Sequence, residues 1–164
     1  MKNRSWLLSA VILFGALVLV AGFYAFSRWQ QSRPSTPVGQ LSVSVTAGEV
    51  SREVDPYTVC PLDEQCDGGQ PPTIPLEGAD EVTLDVPSEV AQSSWRLLSI
   101  YDDPAANGEE VFPSGEATTA TVPAVKGEAH LVVVEVSTLA VDTDAAGEET
   151  PVVATWSVGF EPGA

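Results

Sequence analysis

The residues best suited to proton transfer are two adjacent aspartates and the single histidine of the chain. Asp102 and Asp103 form a carboxylate pair, which could perform acid–base chemistry if the two side chains converged. They stand directly before Pro104, however, and neighbouring residues at a strand end point apart, so a turn is the better interpretation. His130 lies two residues after Glu128, but the chain contains no GxSxG motif to supply a nucleophilic serine. We therefore predict no catalytic residues and a protein that is not an enzyme.

A second group of residues resembles the start of a calcium-binding loop. Asp142 and Asp144 alternate, and Gly147 occupies the sixth position, as in an EF-hand loop. The fifth position is Ala146 and the twelfth is Val153, where that loop requires an oxygen ligand and a bidentate glutamate. The flanking sequences also indicate strands, whereas an EF-hand needs helices. We expect a solvated hairpin loop here, and we predict no metal site and no cofactor.

A long apolar segment determines on which side of a membrane these residues would lie. Residues 6–26 contain no charge and no proline, and at 1.5 Å per residue they form a helix of about 31 Å. That length crosses a hydrocarbon layer of about 30 Å. The segment exceeds the apolar core of an ordinary secretory signal, and its one small-x-small site, Ala25-Phe26-Ser27, lies at its very end. We favour a retained transmembrane helix over a cleaved signal peptide.

The apolar segment divides the chain into four parts. We assign residues 1–5 to a cytoplasmic N-terminus, 6–26 to the transmembrane helix, 27–40 to a linker and 41–164 to an extracytoplasmic domain. The charges that flank the helix discriminate only weakly between the two orientations. Since only the C-terminal part is long enough to form a domain, we place that part outside the cell. The prediction is a single-pass protein of the inner (plasma) membrane.

The segment after the helix is strongly acidic. Residues 28–164 carry five basic and all 23 acidic side chains, a net charge of −18. Such a domain repels phosphate backbones, which argues against nucleic-acid binding. A soluble surface explains this charge, and an acidic face that docks a basic partner is the alternative.

The two cysteines lie in the extracytoplasmic segment and are predicted to form a disulfide. Cys60 and Cys66 are separated by five residues. An even number of cysteines outside the cytoplasm is typical of an oxidised pair, and closing so short a loop mainly rigidifies a turn. A zinc site is disfavoured because His130 is the only histidine and no CxxC motif is present.

The rest of the C-terminal segment has the alternating pattern of short β-strands. Strands are predicted at 41–47, 50–54, 56–60, 81–86, 94–101, 117–122, 130–141 and 152–160, with irregular structure at 61–75 and 102–115. The strand at 130–141 has the most buried pattern, and no segment beyond 6–26 is convincingly helical. These strands predict an all-β, immunoglobulin-like β-sandwich. The Cys-Trp-Cys spacing of true immunoglobulin domains is absent, because both cysteines precede Trp95.

Two tryptophans on the predicted strands have two interpretations. Trp95 and Trp156 could fill the core between two sheets, which is the simpler interpretation. Alternatively, they line an apolar groove or cavity that holds a lipid chain. Both interpretations remain open, because a buried core and an apolar cleft have the same sequence pattern.

Several segments taken together resemble the actinobacterial family DUF2771. They are the run 57–60 with its second cysteine at Cys66, VTLDVP at 82–87, SSWRLLSIYDDP at 93–104 and VVATWSVGF at 152–160. The resemblance covers most of residues 41–161. Members of this family are single-span proteins with an extracytoplasmic domain, found in bacteria that make mycolic acids.

The resemblance implies a role in the cell envelope. Mycobacterial relatives include a trehalose monomycolate transport factor, an accessory partner of a membrane exporter of the RND type. The implied function is therefore a non-catalytic, membrane-anchored accessory protein of cell-envelope lipid transport. The alternative is a lipid- or glycolipid-binding module that holds an acyl chain in a groove. No exporter-binding motif of the family can be matched to this chain, so the resemblance implies no site residues.

Overall fold

The chain folds into two units, Met1–Ser35 and Thr36–Ala164. The computed structural model describes residues 2–31, 36–76, 78–143 and 148–161. The first unit is an α-helix, α1, which spans Lys2–Gln31 and so includes the predicted helix at 6–26. Within residues 13–28, where the structure describes its side chains, the apolar ones are exposed, with Phe14, Leu19 and Phe23 at 70%, 75% and 74%.

The membrane-spanning assignment of α1 is a separate matter from its helical structure. Among the residues that the structure describes, no helix combines the length and the apolar character needed to cross a membrane. The transmembrane assignment of residues 6–26 is not supported by this result and stays a prediction.

The second unit is built from short strands, in agreement with the alternating sequence pattern. In its described part the strands are β1 Val43–Ala47, β2 Val50–Val54, β3 Thr58–Pro61, β4 Thr73–Pro75, β5 Glu81–Asp85, β6 Trp95–Tyr101, β7 Gly108–Phe112, β8 Thr119–Pro123, β9 Val125–Lys126, β10 Ala129–Thr143 and β11 Glu149–Glu161. A 3-10 turn at Val38–Gln40 precedes β1, one helical turn, α2 at Ser88–Ala91, lies between β5 and β6, and a second 3-10 turn at Pro104–Ala106 lies between β6 and β7.

The strands form two sheets that pack as a β-sandwich. The smaller sheet has the order β2-β1-β5-β8, and the larger has the order β3-β11-β10-β6-β7. Each neighbouring pair in these two orders is antiparallel. Outside them, β4 pairs in parallel with β11, and β9 pairs with β10 in an antiparallel manner. The all-β sandwich prediction is confirmed at this level.

The core between the sheets follows from the two-residue period of the strands. On β1, Val43, Val45 and Ala47 are buried, while the intervening Ser44 and Thr46 are half-buried on the other face. The same alternation places β5, β8, β10 and β11 side chains in one continuous apolar cluster. Burying each valine contributes about 1.5–3 kcal/mol relative to its exposure, so the inward faces hold the two sheets together.

Two segments predicted as irregular contain strands instead. The segment 102–115 includes β7, which pairs with β6 because Phe112 stacks on Trp95 with ring centroids 4.1 Å apart. The segment 61–75 includes β4, whose backbone pairs with β11. The prediction of irregular structure was wrong at both places, because tertiary partners outweighed the local prolines and acidic residues.

The prediction that no helix occurs beyond residues 6–26 was also wrong, although by a single turn. The helix α2 directly follows Pro87, whose extended backbone angles terminate the preceding strand. Val90 and Ala91 of this turn are buried in the core. Burial of two small apolar side chains explains why so short a segment adopts a helical turn here.

Candidate functional site

The aspartates considered for acid–base chemistry, Asp102 and Asp103, stabilise local backbone structure through hydrogen bonds. The Asp102 Oδ1 atom accepts a hydrogen bond of 2.8 Å from the His130 backbone N–H, and the Asp102 N–H donates to the His130 carbonyl at 3.0 Å. The Asp103 Oδ1 atom accepts a bond of 2.9 Å from the Ala105 N–H and so caps a 3-10 turn. Asp102 and His130 are therefore neighbours through the main chain, with the carboxylates engaged in local structure. This proximity had no signal in the sequence.

The calcium-like loop falls only partly within the described residues. Asp142 Oδ1 accepts a hydrogen bond of 3.0 Å from the Thr143 N–H, while Asp144, Ala146 and Gly147 lie outside them. Within the ranges that the structure covers, no group of three or more His, Cys, Asp or Glu side chains is placed to hold a metal ion. The expected absence of a metal site stays a prediction.

The disulfide prediction is confirmed. Cys60, on β3, is bonded to Cys66, and their Cα atoms are 5.8 Å apart. The bond closes a turn in which the side chains of Leu62, Asp63 and Glu64 are exposed. Because β3 is an edge strand that pairs with β11, the disulfide fixes this turn at the border of the larger sheet.

Removal of the disulfide is expected to have a moderate effect. Replacing both Cys60 and Cys66 with alanine should lower the free energy of unfolding by about 2 kcal/mol, because the loop that the bond closes is short. Urea unfolding of the two proteins, with and without a reductant, measures the difference. The reductant should lower the stability of the original chain and leave the double variant unchanged. An effect of the reductant on both proteins would contradict this explanation.

Both tryptophans lie in the core. Trp95 and Trp156 are each 1% exposed. The Trp95 Nε1–H donates to the Ala117 carbonyl at 3.0 Å, and the Trp156 Nε1–H donates to the Leu41 carbonyl at 2.8 Å. Buried indole groups need such a partner, and each ring here connects its sheet to a segment outside that sheet. Both side chains belong to the core, and Trp95 also lines a shallow depression on the outer face of the larger sheet.

A cleft opens instead at one edge of the sandwich, where β7 of the larger sheet faces β8 of the smaller one. This seam cleft has a volume of about 330 Å³. Leu97, Tyr101 and Val122 contribute its apolar surface, while Glu110 and Lys126 contribute charges. An apolar cleft with a few charged groups is the usual form of a small-molecule site.

Tyr101 and Lys126 are fixed on one side of the seam cleft. The Tyr101 hydroxyl donates to the Pro123 carbonyl at 2.9 Å and thereby connects the two sheets. The Lys126 Nζ atom donates to the Ala106 carbonyl at 3.0 Å and lies 5.9 Å from the centre of the Tyr101 ring. Burial raises the pKa of the Tyr101 phenol above its ordinary value of 10.0, because the phenolate loses solvation in the cleft.

This shift predicts a loss of stability at high pH. Above about pH 10 the unfolded chain releases the Tyr101 proton while the folded chain keeps it, so stability falls as the pH rises through this range. Below that range the phenol is neutral in both states and contributes no pH dependence. Tyr101→Phe should therefore flatten the decline seen in urea unfolding between pH 9 and 11, and should cost about 1 kcal/mol at neutral pH through the lost hydrogen bond. An unchanged slope in the variant would contradict the assignment.

A group of exposed apolar side chains lies on the opposite side of the larger sheet, away from the core. We call it the outer patch and define it as Leu62, Val111, Leu139, Val141 and Val153. The first four are 55–61% exposed, and Val153 is half-buried. Such a concentration of apolar surface on a strongly acidic domain is typical of a contact surface.

A shallow depression of about 260 Å³ lies within the outer patch. Val111, Leu139 and Val153 line it together with Arg96, whose Nε–H donates to Ser137 Oγ at 3.3 Å. The Arg96 guanidinium also lies 3.8 Å from the Glu109 carboxylate, so its charge is partly balanced.

Comparison with known proteins relates the whole domain to one family. Residues 36–161 match the model of a family described as a protein of unknown function, DUF2771. The chain is also similar to uncharacterised proteins of Mycobacterium bovis and of two strains of Mycobacterium tuberculosis. Each is 30% identical over 154 residues, which cover 90% of this chain and 92% of the relative. No solved structure matches the chain. The chain belongs to the DUF2771 family.

Proposed function

We propose that the protein is a non-catalytic, membrane-anchored accessory protein of cell-envelope lipid transport, in which it partners an exporter of the RND type that handles trehalose monomycolate. The observation that carries the proposal is that the candidate catalytic and binding side chains serve the fold, while a group of apolar side chains is exposed. Asp102, Asp103 and the two core tryptophans are engaged in turns and packing, whereas the apolar surface of the outer patch is exposed. This arrangement favours contact with another protein over catalysis. The resemblance to the family supplies the choice of exporter.

Anchoring by α1 is part of the proposal. The helix has 30 residues, and its central segment at 6–26 is uncharged. At 1.5 Å per residue, the uncharged segment alone is about 31 Å long, which matches a hydrocarbon layer. With the N-terminus in the cytoplasm, the sandwich and its disulfide would lie in an oxidising, extracytoplasmic compartment.

The strand order supports an immunoglobulin-like domain. The order β1-β5-β8 in one sheet and β11-β10-β6-β7 in the other follows the A-B-E and G-F-C-C′ arrangement of that architecture. In this assignment β2 and β3 are additions at two sheet edges. Domains of this architecture are widespread on cell surfaces, which is compatible with a role in contact.

The seam cleft supports the alternative function of a lipid- or glycolipid-binding module. Its volume of about 330 Å³ is at the lower end of the range for ligand pockets. Leu97 and Val122 would contact a short apolar segment, with Lys126 next to an anionic or polar headgroup. The cleft, rather than the two core tryptophans, is where this alternative would place a lipid chain.

Purification of the full-length protein from its native membrane in mild detergent tests the proposal. We expect an RND-type exporter in nearly stoichiometric amount, identified by mass spectrometry, and no retained glycolipid. The matched control replaces residues 6–26 with an unrelated apolar helix of the same length, which should reduce recovery of the exporter if α1 contributes to contact. Retention of glycolipid without the exporter would overturn the proposal and favour the alternative.

A further inference from the structure

We propose that the outer patch is the docking surface for a partner protein whose own surface has an apolar centre bordered by lysine and arginine side chains. The inference rests on the proposed function in taking the partner to be a protein at the membrane. It goes further by naming the face of the sandwich and the chemistry of the partner.

The first support is the distribution of apolar exposure. Among the described residues of the sandwich, six large hydrophobic side chains are strongly exposed. Four of them, at positions 62, 111, 139 and 141, belong to the outer patch, while Val125 and Val132 lie elsewhere. Scattered exposed hydrophobics need no explanation, but a contiguous group marks an interaction site.

The second support is that strand register makes the patch continuous. On the outer face, Leu139 pairs with Val153, which pairs with Cys60. The next row joins Val141 to Pro151, whose carbonyl accepts a hydrogen bond of 3.3 Å from the Leu62 N–H. Residues that are paired across strands point to the same face, so these two rows form one apolar surface over β10, β11 and β3.

The third support is the charge around this surface. Asp63 and Glu64 are exposed in the disulfide turn, Glu149 is exposed at the start of β11, and Glu109 lies beyond Val111. Arg96 is the basic group at the depression, and it lies near Glu109. An apolar centre with an acidic border is complementary to a basic border on the partner. Anionic headgroups and a second copy of this acidic chain would be repelled.

Site-specific photo-crosslinking in the native cells tests the inference. A photoreactive amino acid is placed in the full-length chain at position 139 or 141, and in the matched control at 125, which is also an exposed valine on a strand. We expect positions 139 and 141 to crosslink to one protein, through a peptide that contains lysine or arginine, and position 125 to give no such product. Reversing the charge of the acidic border with Glu64→Lys and Glu149→Lys should lower the crosslinking yield by about tenfold, because like charges on the two proteins then repel each other.

The outcomes separate this inference from the proposed function. Crosslinks to lipid, crosslinks to a second copy, an equal yield from position 125, or a yield unchanged by charge reversal would each overturn the inference. Recovery of the exporter together with crosslinks confined to position 125 would refute the docking surface and leave the proposed function standing. A basic partner crosslinked at 139 that is not an exporter would support the surface and refute the proposed function. Circular dichroism of each variant verifies that the sandwich is folded.

Discussion

Replacing Trp156 with alanine is expected to lower the free energy of unfolding of the sandwich by about 3–5 kcal/mol. The indole is 1% exposed between the sheets, and its N–H donates to the Leu41 carbonyl at 2.8 Å. Alanine removes the packing of the ring and also leaves a buried carbonyl without its partner. Since domains of this size have a total stability of about 5–15 kcal/mol, the variant should be close to unfolding at physiological temperature.

Urea unfolding of the full-length protein in detergent, followed by the circular dichroism of the strands, measures this loss. Trp156→Phe is the matched variant, because it retains an aromatic ring and loses the hydrogen bond to Leu41. We expect its cost to lie between zero and that of alanine. An alanine variant as stable as the original chain would show that the ring is not part of the core.

The second large effect is expected from a charge placed inside the sandwich. Val136→Asp should cost about 3–5 kcal/mol or unfold the domain, because Val136 is 1% exposed and no cation lies opposite it on the paired residues Leu97 and Trp156. Leu139→Asp, on the same strand, should cost less than about 1 kcal/mol, since Leu139 is 55% exposed.

Thermal unfolding of the two aspartate variants in parallel verifies which face of β10 is buried. Equal losses at positions 136 and 139 would contradict the assignment of the two faces. A stable Leu139→Asp variant would also serve as a folded protein with an altered outer patch, in which any loss of partner binding is not caused by unfolding.

The two-residue period was sufficient to predict most strands of the sandwich. It located β1, β5, β6, β10 and β11, because their inward faces carry regular apolar positions. It failed for β7 and β4. The sequence of β7 has adjacent glutamates, and its only strong apolar contact is the stacking of Phe112 on Trp95, which is a tertiary contact. Local pattern contains no information about such partners.

The candidate sites were less predictable than the strands. The cysteine pair had a clear signal in spacing and compartment, and the disulfide followed from it. The outer patch had none, because the apolar end of the segment 130–141 indicates burial as strongly as its beginning. In the structure Leu139 and Val141 occupy the outward-facing positions of β10, where they pair with Val153 and Pro151, and both are exposed. Only the pairing of β10 within the sheet shows which of its alternate positions face away from the core.

The place of β11 in the larger sheet has a consequence for biosynthesis. This strand lies between β3 and β10, both of which precede it in the chain, and its Trp156 donates a hydrogen bond to the Leu41 carbonyl, 115 residues earlier. The ribosome therefore synthesises both neighbours of β11 before β11 itself, and β3 and β10 cannot take their final places in the sheet until β11 has emerged. Such non-local pairing slows folding, so the nascent domain is exposed to proteases and aggregation until synthesis of β11 is complete.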